Sequence, residues 1–189
     1  MFVNVKVFKN GKIQMTGLKS AEQGSLIIDC IIDNLRNIFK NGVKEIVASI
    51  ESMQNIDYKV RLINSDFKIG IDIRRDKLNT LIQRTYDVLS SFEPCIYPGV
   101  KIQYYWNKCN ESYGICNCEM ECNGKGCGEG DGNCKKITIA VFQSGCIIIT
   151  GAQSIEQIDT AYAFICNVIK NHIDELEKVP IKKITSCFS

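Results

Sequence analysis

The sequence predicts an α+β fold in which one strand–turn–strand–helix unit occurs twice. Residues 8–23 align without gaps with residues 142–157, and eight of the sixteen aligned positions are identical. In both copies, apolar residues alternate with period two before the aligned region and recur with helical spacing after it. A repeat of this length indicates two copies of one supersecondary structure.

Each copy opens with a predicted β-hairpin. Valines alternate with other residues over positions 3–7, and isoleucine and valine do so over positions 137–141. Gly11 and Gly145 follow as tight-turn positions. The alternating apolar residues are expected to face the helix, which sends every second residue to the opposite face of the strand.

Phe8 and Phe142 occupy the same position in the two copies, on the face that is predicted to point away from the helix. An exposed aromatic side chain needs no function by itself, and packing at a sheet edge is the simpler alternative. Its occurrence at equivalent positions in both copies favours a functional role.

A helix follows each hairpin. Ser20 and Ser154 are predicted N-caps, and Gln23 and Gln157, three residues later, have the spacing of a capping box, in which side chains satisfy the first backbone donors. Each helix carries a stripe of apolar residues that predicts its buried face. The stripes are Ile27, Ile31, Leu35 and Ile38 in the first copy and Ile158, Ile165, Ile169 and Leu176 in the second.

The segment between the two copies adds further predicted elements. Residues 45–63 are expected to form one long or bulged strand, and residues 67–73 another extended piece. Residues 76–90 have helical periodicity, and residues 92–99 end that helix with two prolines. A strand is predicted over residues 100–106.

Three short motifs resemble the TATA-box-binding protein (TBP) family, and they occur in the family's order. Residues 142–152, FQSGCIIITGA, are similar to the family's FVSGKIVLTGA. Residues 93–100, EPCIYPGV, are similar to EPELFPGL, and residues 53–56, MQNI, are similar to IQNI. The divergent motifs and loop lengths most resemble the TBP-like proteins of large nucleocytoplasmic DNA viruses.

This resemblance implies a saddle, which is a curved antiparallel sheet of two repeats with helices on its convex face. Residues 1–43 correspond to the C-terminal part of the first repeat, and residues 44–178 to the second repeat with a cysteine-rich insertion at 107–135. Residues 179–189 form a tail. The first repeat is thus expected to be incomplete, so either the sequence is truncated or a second chain completes the sheet.

The resemblance also implies a transcription-initiation factor that binds and bends the minor groove of A/T-rich promoter DNA, with aromatic wedges between base steps as in the family. Three wedges match family motifs, Phe8 in the first repeat and Tyr97 with Phe142 in the second, and the fourth has no counterpart here. Tyr97 stands where the family has phenylalanine, and its hydroxyl needs a polar partner on insertion. The predicted DNA-binding residues are Phe8, Tyr97, Phe142, Asn55, Thr16, Thr150, Gln14, Ile148, Lys12 and Lys19.

Phosphate contacts are predicted to be fewer in the second repeat, because Cys146, Gln153 and Gln103 stand where the family has basic residues. Lys101 and the lysine pair at 135–136 are candidate replacements. Fewer neutralised phosphates would lower both the affinity for DNA and its dependence on salt.

The resemblance implies partners besides double-stranded DNA, because a Glu-Pro loop of the family contacts TFIIB. A TFIIB-like factor and RNA polymerase are therefore expected, with Glu93 and Ile96 at the contact. The expected location is intracellular, in the nucleus or in a cytoplasmic viral factory. The alternative is a TBP-fold interaction module that has lost DNA binding and uses the cysteine-rich insertion as its partner surface.

The insertion has six cysteines within twenty-six residues, separated mostly by glycine and polar residues. Thiolates at this density suit tetrahedral zinc, which needs four ligands and stabilises a loop without a core of its own. The spacing lacks a paired C-x2-C knuckle, so an unliganded loop and disulfides are alternatives. The candidate ligands, of which four are needed, are Cys109, Cys116, Cys118, Cys122, Cys127 and Cys134.

Composition and motifs argue against other classes of function. With 189 residues, of which 45% are apolar and 23% charged, the chain has enough apolar residues for a folded core. It shows neither a secretion-signal pattern nor a membrane-length apolar stretch, so we expect no membrane partner. His172 is the only histidine, and no nucleophile or carboxylate pair has catalytic surroundings, so the chain is not expected to be an enzyme.

Overall fold

A computed structural model describes residues 2–41, 52–56, 58–109, 114–130 and 133–178. The chain divides into two compact units, residues 1–60 and residues 61–189. The boundary that the sequence predicts between residues 43 and 44 and the tail at 179–189 lie outside the described residues.

The described part of the first unit consists of an antiparallel hairpin and a long helix. Its elements are β1 (Asn4–Val7), β2 (Ile13–Thr16) and α1 (Ala21–Lys40). Gly11 turns the hairpin with a φ of +81°, a conformation that glycine adopts without strain. The register places Asn4 opposite Thr16 and Lys6 opposite Gln14.

The buried face of α1 is displaced by one residue from the predicted stripe. Ile28 and Ile32 are buried, whereas Ile27, which belongs to the predicted stripe, is half-buried. Gly24 continues the buried face, because the Tyr58 ring occupies the space that a side chain at this position would need. Packing against a segment distant in sequence, rather than apolar spacing alone, therefore selects the face.

The predicted strand over residues 45–63 is wrong in its described part, because none of the described residues from 52 to 62 belongs to a strand. The segment instead contacts α1, where the Arg36 guanidinium donates a hydrogen bond of 2.8 Å to the carbonyl of Met53. A side chain of the helix thus satisfies a backbone group that a neighbouring strand would otherwise pair.

The second unit contains a five-stranded, fully antiparallel sheet. Its elements are β3 (Ile63–Lys68), α2 (Arg75–Arg84), β4 (Ser90–Ser91), β5 (Val100–Trp106), β6 (Lys135–Val141), β7 (Cys146–Ala152), α3 (Ile155–Asn171) and α4 (Ile173–Leu176). The strand order is β3-β7-β6-β5-β4, so the repeated hairpin supplies the central strand, β6. The α+β class predicted from the sequence is confirmed, and the strand predicted at 100–106 is β5.

The core of this unit lies between one face of the sheet and the helices. Ile102, Ile139 and Ile149 of three neighbouring strands are fully buried, and so is Ile165 of the predicted α3 stripe. Burial of each such side chain contributes about 1.5–3 kcal/mol. Among the described helices, none is long and apolar enough to cross a membrane.

Both long helices begin with the predicted capping box in a slightly altered form. The Ser20 hydroxyl accepts the amide of Gln23 at 3.2 Å in α1, and the Ser154 hydroxyl accepts the amide of Gln157 at 3.3 Å in α3. In each copy the glutamine Oε1 accepts the amide of the residue before the serine, at 3.1 and 2.8 Å. The repeat is therefore preserved at the level of single hydrogen bonds.

The helix predicted over residues 76–90 is shorter than expected. It ends at Arg84, and Asp87 has a φ of +53°, which a continuing right-handed helix does not allow. The chain then turns so that β4 pairs with β5. Leu89, which lies within the predicted helix range, is 61% exposed.

The extended piece predicted at 67–73 begins within β3 and then leaves the regular ladder. The amide of Ile69 donates to the carbonyl of Gly145 at 3.1 Å, and the amide of Ile73 donates to the carbonyl of Gln143 at 2.7 Å. These two bonds fix the turn between β6 and β7.

Candidate nucleic-acid interface

The sheet face opposite the helices in the second unit, which we call the open face, carries alternate residues of β5, β6 and β7. These residues are half-buried or exposed, apart from Ala140, and the register aligns them in rows across the three strands. The rows are Lys101–Ala140–Ile148 and Gln103–Thr138–Thr150. The central side chains are short or aliphatic, so the face is a shallow surface that offers hydroxyl and amide groups.

An aromatic pair lies at one end of the open face. The ring centroids of Tyr97 and Phe142 are 5.7 Å apart, and both side chains are half-buried. Gly99 lies against both rings, since a Cβ there would come within 3.0 Å of Tyr97 and 3.3 Å of Phe142. The Lys101 ammonium is 4.2 Å from the Tyr97 centroid, a cation–π distance. The two wedge residues predicted for the second repeat are therefore in contact.

Arg75 of α2 binds the segments next to both rings of this pair. Its guanidinium donates to the carbonyl of Pro98 and, at 3.1 Å, to the side-chain oxygen of Gln143. The loop that carries Tyr97 and the turn that carries Phe142 are thus bound to one side chain. Sequence analysis missed Arg75, because its partners are 23 and 68 residues away and no local pattern marks it.

The hairpin of the first unit repeats the turn geometry at Phe8. The Phe8 amide donates to the carbonyl of Lys12 at 2.8 Å, just as the Phe142 amide donates to the carbonyl of Cys146 at 2.9 Å. Phe8 is 44% exposed. Val7, which was predicted to face the helix, is 61% exposed, because it is the last residue of a four-residue strand.

The remaining residues predicted on the first hairpin are also at its surface. Lys12 and Lys19 are exposed. One face of the hairpin forms a shallow depression whose lining includes the predicted Gln14 and Thr16. The four lining residues are Asn4, Lys6, Gln14 and Thr16.

Three further predicted residues lie away from the strands. The Asn55 amide donates to the Ser25 hydroxyl of α1 at 3.2 Å. Glu93 and Ile96 lie in the loop before β5, where the Glu93 carbonyl accepts the amides of Ile96 and Tyr97, both at 2.9 Å. Glu93 is exposed and Ile96 is 78% exposed, so both predicted partner-contact residues are at the surface.

Four of the six cysteines of the insertion come together, with their sulfur atoms all within 4.8 Å of one another. These four, which we call the cysteine cluster, are Cys116, Cys118, Cys122 and Cys134. The Cys134 sulfur lies 3.4 Å from that of Cys118 and 3.7 Å from that of Cys116. Four thiolates on tetrahedral zinc stand about 3.8 Å apart, so the cluster could hold a metal ion. Cys109 and Cys127, which are also described, lie outside it.

The surroundings of the cluster favour thiolate at one position and thiol at another. Burial alone would raise the pKa of Cys122, but the amides of Cys134 and Gly124 donate to its sulfur, and the pKa falls to about 7. Burial and two neighbouring thiols raise the pKa of Cys134. None of the ten described cysteines forms a disulfide bond, so the disulfide alternative finds no support among them.

Known proteins similar to this chain are TATA-box-binding proteins. A family model described as transcription factor TFIID (or TATA-binding protein, TBP) matches residues 131–172, which contain β6, β7 and α3. Over 191 residues the chain is 31% identical to a TATA-box-binding protein-like protein of Acanthamoeba polyphaga mimivirus, and the alignment covers 96% of this chain. The chain is similar to the TATA-box-binding protein family over nearly its whole length.

Archaeal members of the TBP family are more distant. The TATA-box-binding protein of Methanocaldococcus jannaschii is 23% identical over 89% of this chain and 68% of that protein. The solved structure of Methanococcus jannaschii TBP matches with a TM-score of 0.56 and 22% identity, over 89% of this chain and 75% of that one. This match confirms the predicted TBP-like fold. The chain spans 47% of the length of the mimivirus relative.

The similarity to a family described as a transcription factor agrees with the expectation that the chain is not an enzyme. His172, the only histidine, lies with Nε2 3.1 Å from the Tyr86 hydroxyl, and the two rings meet edge to face at 5.9 Å. The side chain therefore packs between helix and loop.

Proposed function

We propose that this chain is a transcription-initiation factor that binds A/T-rich promoter DNA through the open face and inserts aromatic wedges into the minor groove. The observation that carries the proposal is the contact between Tyr97 and Phe142 at the end of the open face. Two adjacent aromatic side chains beside a shallow sheet surface are suited to unstacking a base step while the strands follow the groove. Phe8, exposed at the equivalent turn of the first hairpin, is the third wedge.

The open face has the chemistry that minor-groove reading requires. Thr150 and Gln103 offer donors to the N3 and O2 acceptors of A·T pairs, and Ile148 offers apolar contact. The G·C pair adds an amino group to this groove, and an aliphatic surface cannot satisfy it. Thr16 and Gln14 provide similar groups on the first hairpin. The preference is therefore for A·T over G·C, with little further discrimination.

Other parts of the proposal concern phosphates and protein partners. Lys12 and Lys19 are exposed beside the first hairpin and neutralise phosphates, as Lys101 does in the second unit. Glu93 and Ile96 form the contact for a TFIIB-like factor, through which RNA polymerase is recruited. Asn55 remains a predicted DNA contact. A second chain as partner and a nuclear or viral-factory location also remain predictions.

The metal of the cysteine cluster is zinc in this proposal. Four thiolates at tetrahedral separations select zinc over cations that prefer oxygen ligands, such as magnesium and calcium. Zinc measured in protein purified without chelator should approach one equivalent per chain, and a content below half an equivalent after zinc supplementation contradicts this assignment.

Wedge insertion is tested by fluorescence anisotropy with a labelled A/T-rich duplex. Phe142→Ala and Tyr97→Ala should each weaken binding by about 1–3 kcal/mol, roughly five- to 150-fold, because each removes a stacking surface for a base. Tyr162→Ala is the matched control, since Tyr162 is a half-exposed aromatic on α3, on the helix-covered side of the sheet. It should bind like the wild type.

Two outcomes oppose the proposal in different ways. Wild-type binding no tighter to A/T-rich than to G/C-rich duplex at low salt would reject minor-groove reading and favour the protein-interaction module. A loss of affinity in Tyr162→Ala equal to that in Phe142→Ala would show that the wedge variants act through stability and not through base contacts.

A further inference from the structure

The cysteine-rich insertion contacts both faces of the sheet at the far end of β5 and β6. On the open face, the Gly124 backbone lies against the side chains of Tyr105 and Lys136, and its carbonyl accepts the Lys136 amide at 2.8 Å. On the helix side, Gly128 lies against the indole of Trp106. The insertion thus wraps around the end of one strand pair.

A further hydrogen bond joins the insertion to α3. Gln157 is 2% exposed, and its side-chain nitrogen donates to the carbonyl of Cys127 at 3.1 Å. The amide of Lys108 donates to the carbonyl of Gly128 at 2.7 Å. Backbone groups of the insertion are therefore bound to the sheet end and to the first turn of a core helix.

We infer that one zinc ion bound by Cys116, Cys118, Cys122 and Cys134 fixes the insertion as a structural cap over the end of β5 and β6. This inference rests on the zinc assignment proposed above, and it adds the role of the ion. Cys109 and Cys127 are not ligands.

The role of the ion is structural because four protein sulfurs complete its coordination. A catalytic zinc site keeps a position for water or substrate, whereas four thiolates leave none. The backbone amide of Cys134 donates to the Cys122 sulfur at 3.3 Å, a bond that orients this ligand and stabilises its negative charge.

The ion is needed because the insertion has little apolar material of its own. Its described residues between the strands are mostly glycine, cysteine and polar residues, and Met120 is 82% exposed. A segment of this composition buries too little apolar surface to offset its conformational entropy. Cys134 is fully buried and directly precedes β6, so an ion bound there links the insertion to the sheet.

The chain contains its own reporter for the cap. Trp106 is the only tryptophan, it ends β5, and it is 5% exposed with Gly128 against its ring. If the cap detaches, water reaches the indole. Because the chain has no other tryptophan, tryptophan emission reports the surroundings of this one ring.

The experiment compares zinc content, tryptophan emission and far-UV circular dichroism before and after chelation of the full chain under reducing conditions. We expect one zinc per chain, a red shift of Trp106 emission on chelation, and recovery when zinc is restored. Circular dichroism should change little, because the core between the sheet and the helices does not include the cluster.

Matched variants test the ligand set. Cys118→Ser should lose zinc and show the red-shifted emission without chelator, whereas Cys109→Ser should keep one equivalent and the wild-type emission. Zinc loss in Cys109→Ser would reject the assigned ligands. If Cys118→Ser is too unstable to purify, chelation and zinc restoration in the wild type decide the role of the ion.

The failures of the two proposals are distinguishable. Absence of zinc rejects the metal assignment. If one equivalent of zinc is present but its removal leaves Trp106 emission unchanged, the cap is rejected and the metal assignment stands. A large loss of the circular dichroism signal on chelation rejects a role confined to the end of the sheet. The zinc experiment does not measure DNA affinity, so wedge insertion is tested separately.

Discussion

Gly145 and Gly70 share a left-handed backbone conformation but differ in their surroundings. Their φ angles are +71° and +79°. A Cβ on Gly145 would meet the carbonyl oxygen of Ile71, whereas a Cβ on Gly70 would meet nothing within 4 Å. The conformation makes both positions unfavourable for other residues, and only the first adds a steric conflict.

The two alanine variants should therefore differ in stability. Gly70→Ala is expected to lower the free energy of unfolding by about 1 kcal/mol through backbone strain, and Gly145→Ala by roughly 2 kcal/mol or more, because the turn must also move away from Ile71. Denaturant unfolding followed by Trp106 emission measures both, since all these residues belong to the second unit. Equal losses would show that strain, and not the close approach, dominates at Gly145.

At the scale of single residues, the wedge positions follow from the repeat, whereas their environment does not. Strand alternation predicts the face on which Phe142 lies. It does not predict that Gly99 makes room for two rings, or that Arg75 binds the two segments that carry them. Both contacts join residues that are far apart in the sequence.

At the scale of elements, the two capped helices have the same local structure but different neighbours. Gln23 and Gln157 both accept a backbone amide with Oε1. Only for Gln157 is a hydrogen bond from the side-chain nitrogen to another segment described, to the carbonyl of Cys127. One side chain therefore caps α3 and holds the insertion.

The matched pair Gln157→Glu and Gln23→Glu should separate these two roles. Glutamate keeps the acceptor for the capping bond but loses the donor, and at position 157 it places a buried carboxylate against a carbonyl. Gln157→Glu is expected to lower the free energy of unfolding by roughly 1–3 kcal/mol, and Gln23→Glu to change it by less than about 0.5 kcal/mol. Chemical denaturation followed by circular dichroism gives both values. Similar changes in the free energy of unfolding for the two variants would show that the bond with Cys127 does not stabilise the protein.

At the scale of the whole molecule, the proposed mode of DNA binding depends on few phosphate contacts. Each neutralised phosphate contributes about 0.9 to the slope of log K against log salt concentration. Lys12→Ala should reduce the magnitude of this slope by about that amount, whereas Lys77→Ala, at an exposed position of α2, should leave it unchanged. Anisotropy titrations over a range of salt concentrations provide the slopes, and the same slope for both variants would remove Lys12 from the interface.

The sequence by itself determined the local structure of this protein and its resemblance to the TATA-box-binding protein family. The hairpins, the capped helices and β5 could be predicted because strand alternation, turn glycines and caps depend on residues a few positions apart. The family motifs are also local. They identified the wedge candidates Phe8, Tyr97 and Phe142 before any contact between Tyr97 and Phe142 was known.

Only the tertiary structure decided which distant groups meet. Six cysteines were candidate ligands, and the fold brings four of them within 4.8 Å, because Cys134, directly before β6, is placed by the sheet and not by its spacing from the others. The strand predicted before Ile63 is wrong for the same reason. Its described residues contact α1 instead of pairing with a neighbouring strand. Alternation shows that a segment can be extended, but the partner that satisfies its backbone groups is chosen by packing.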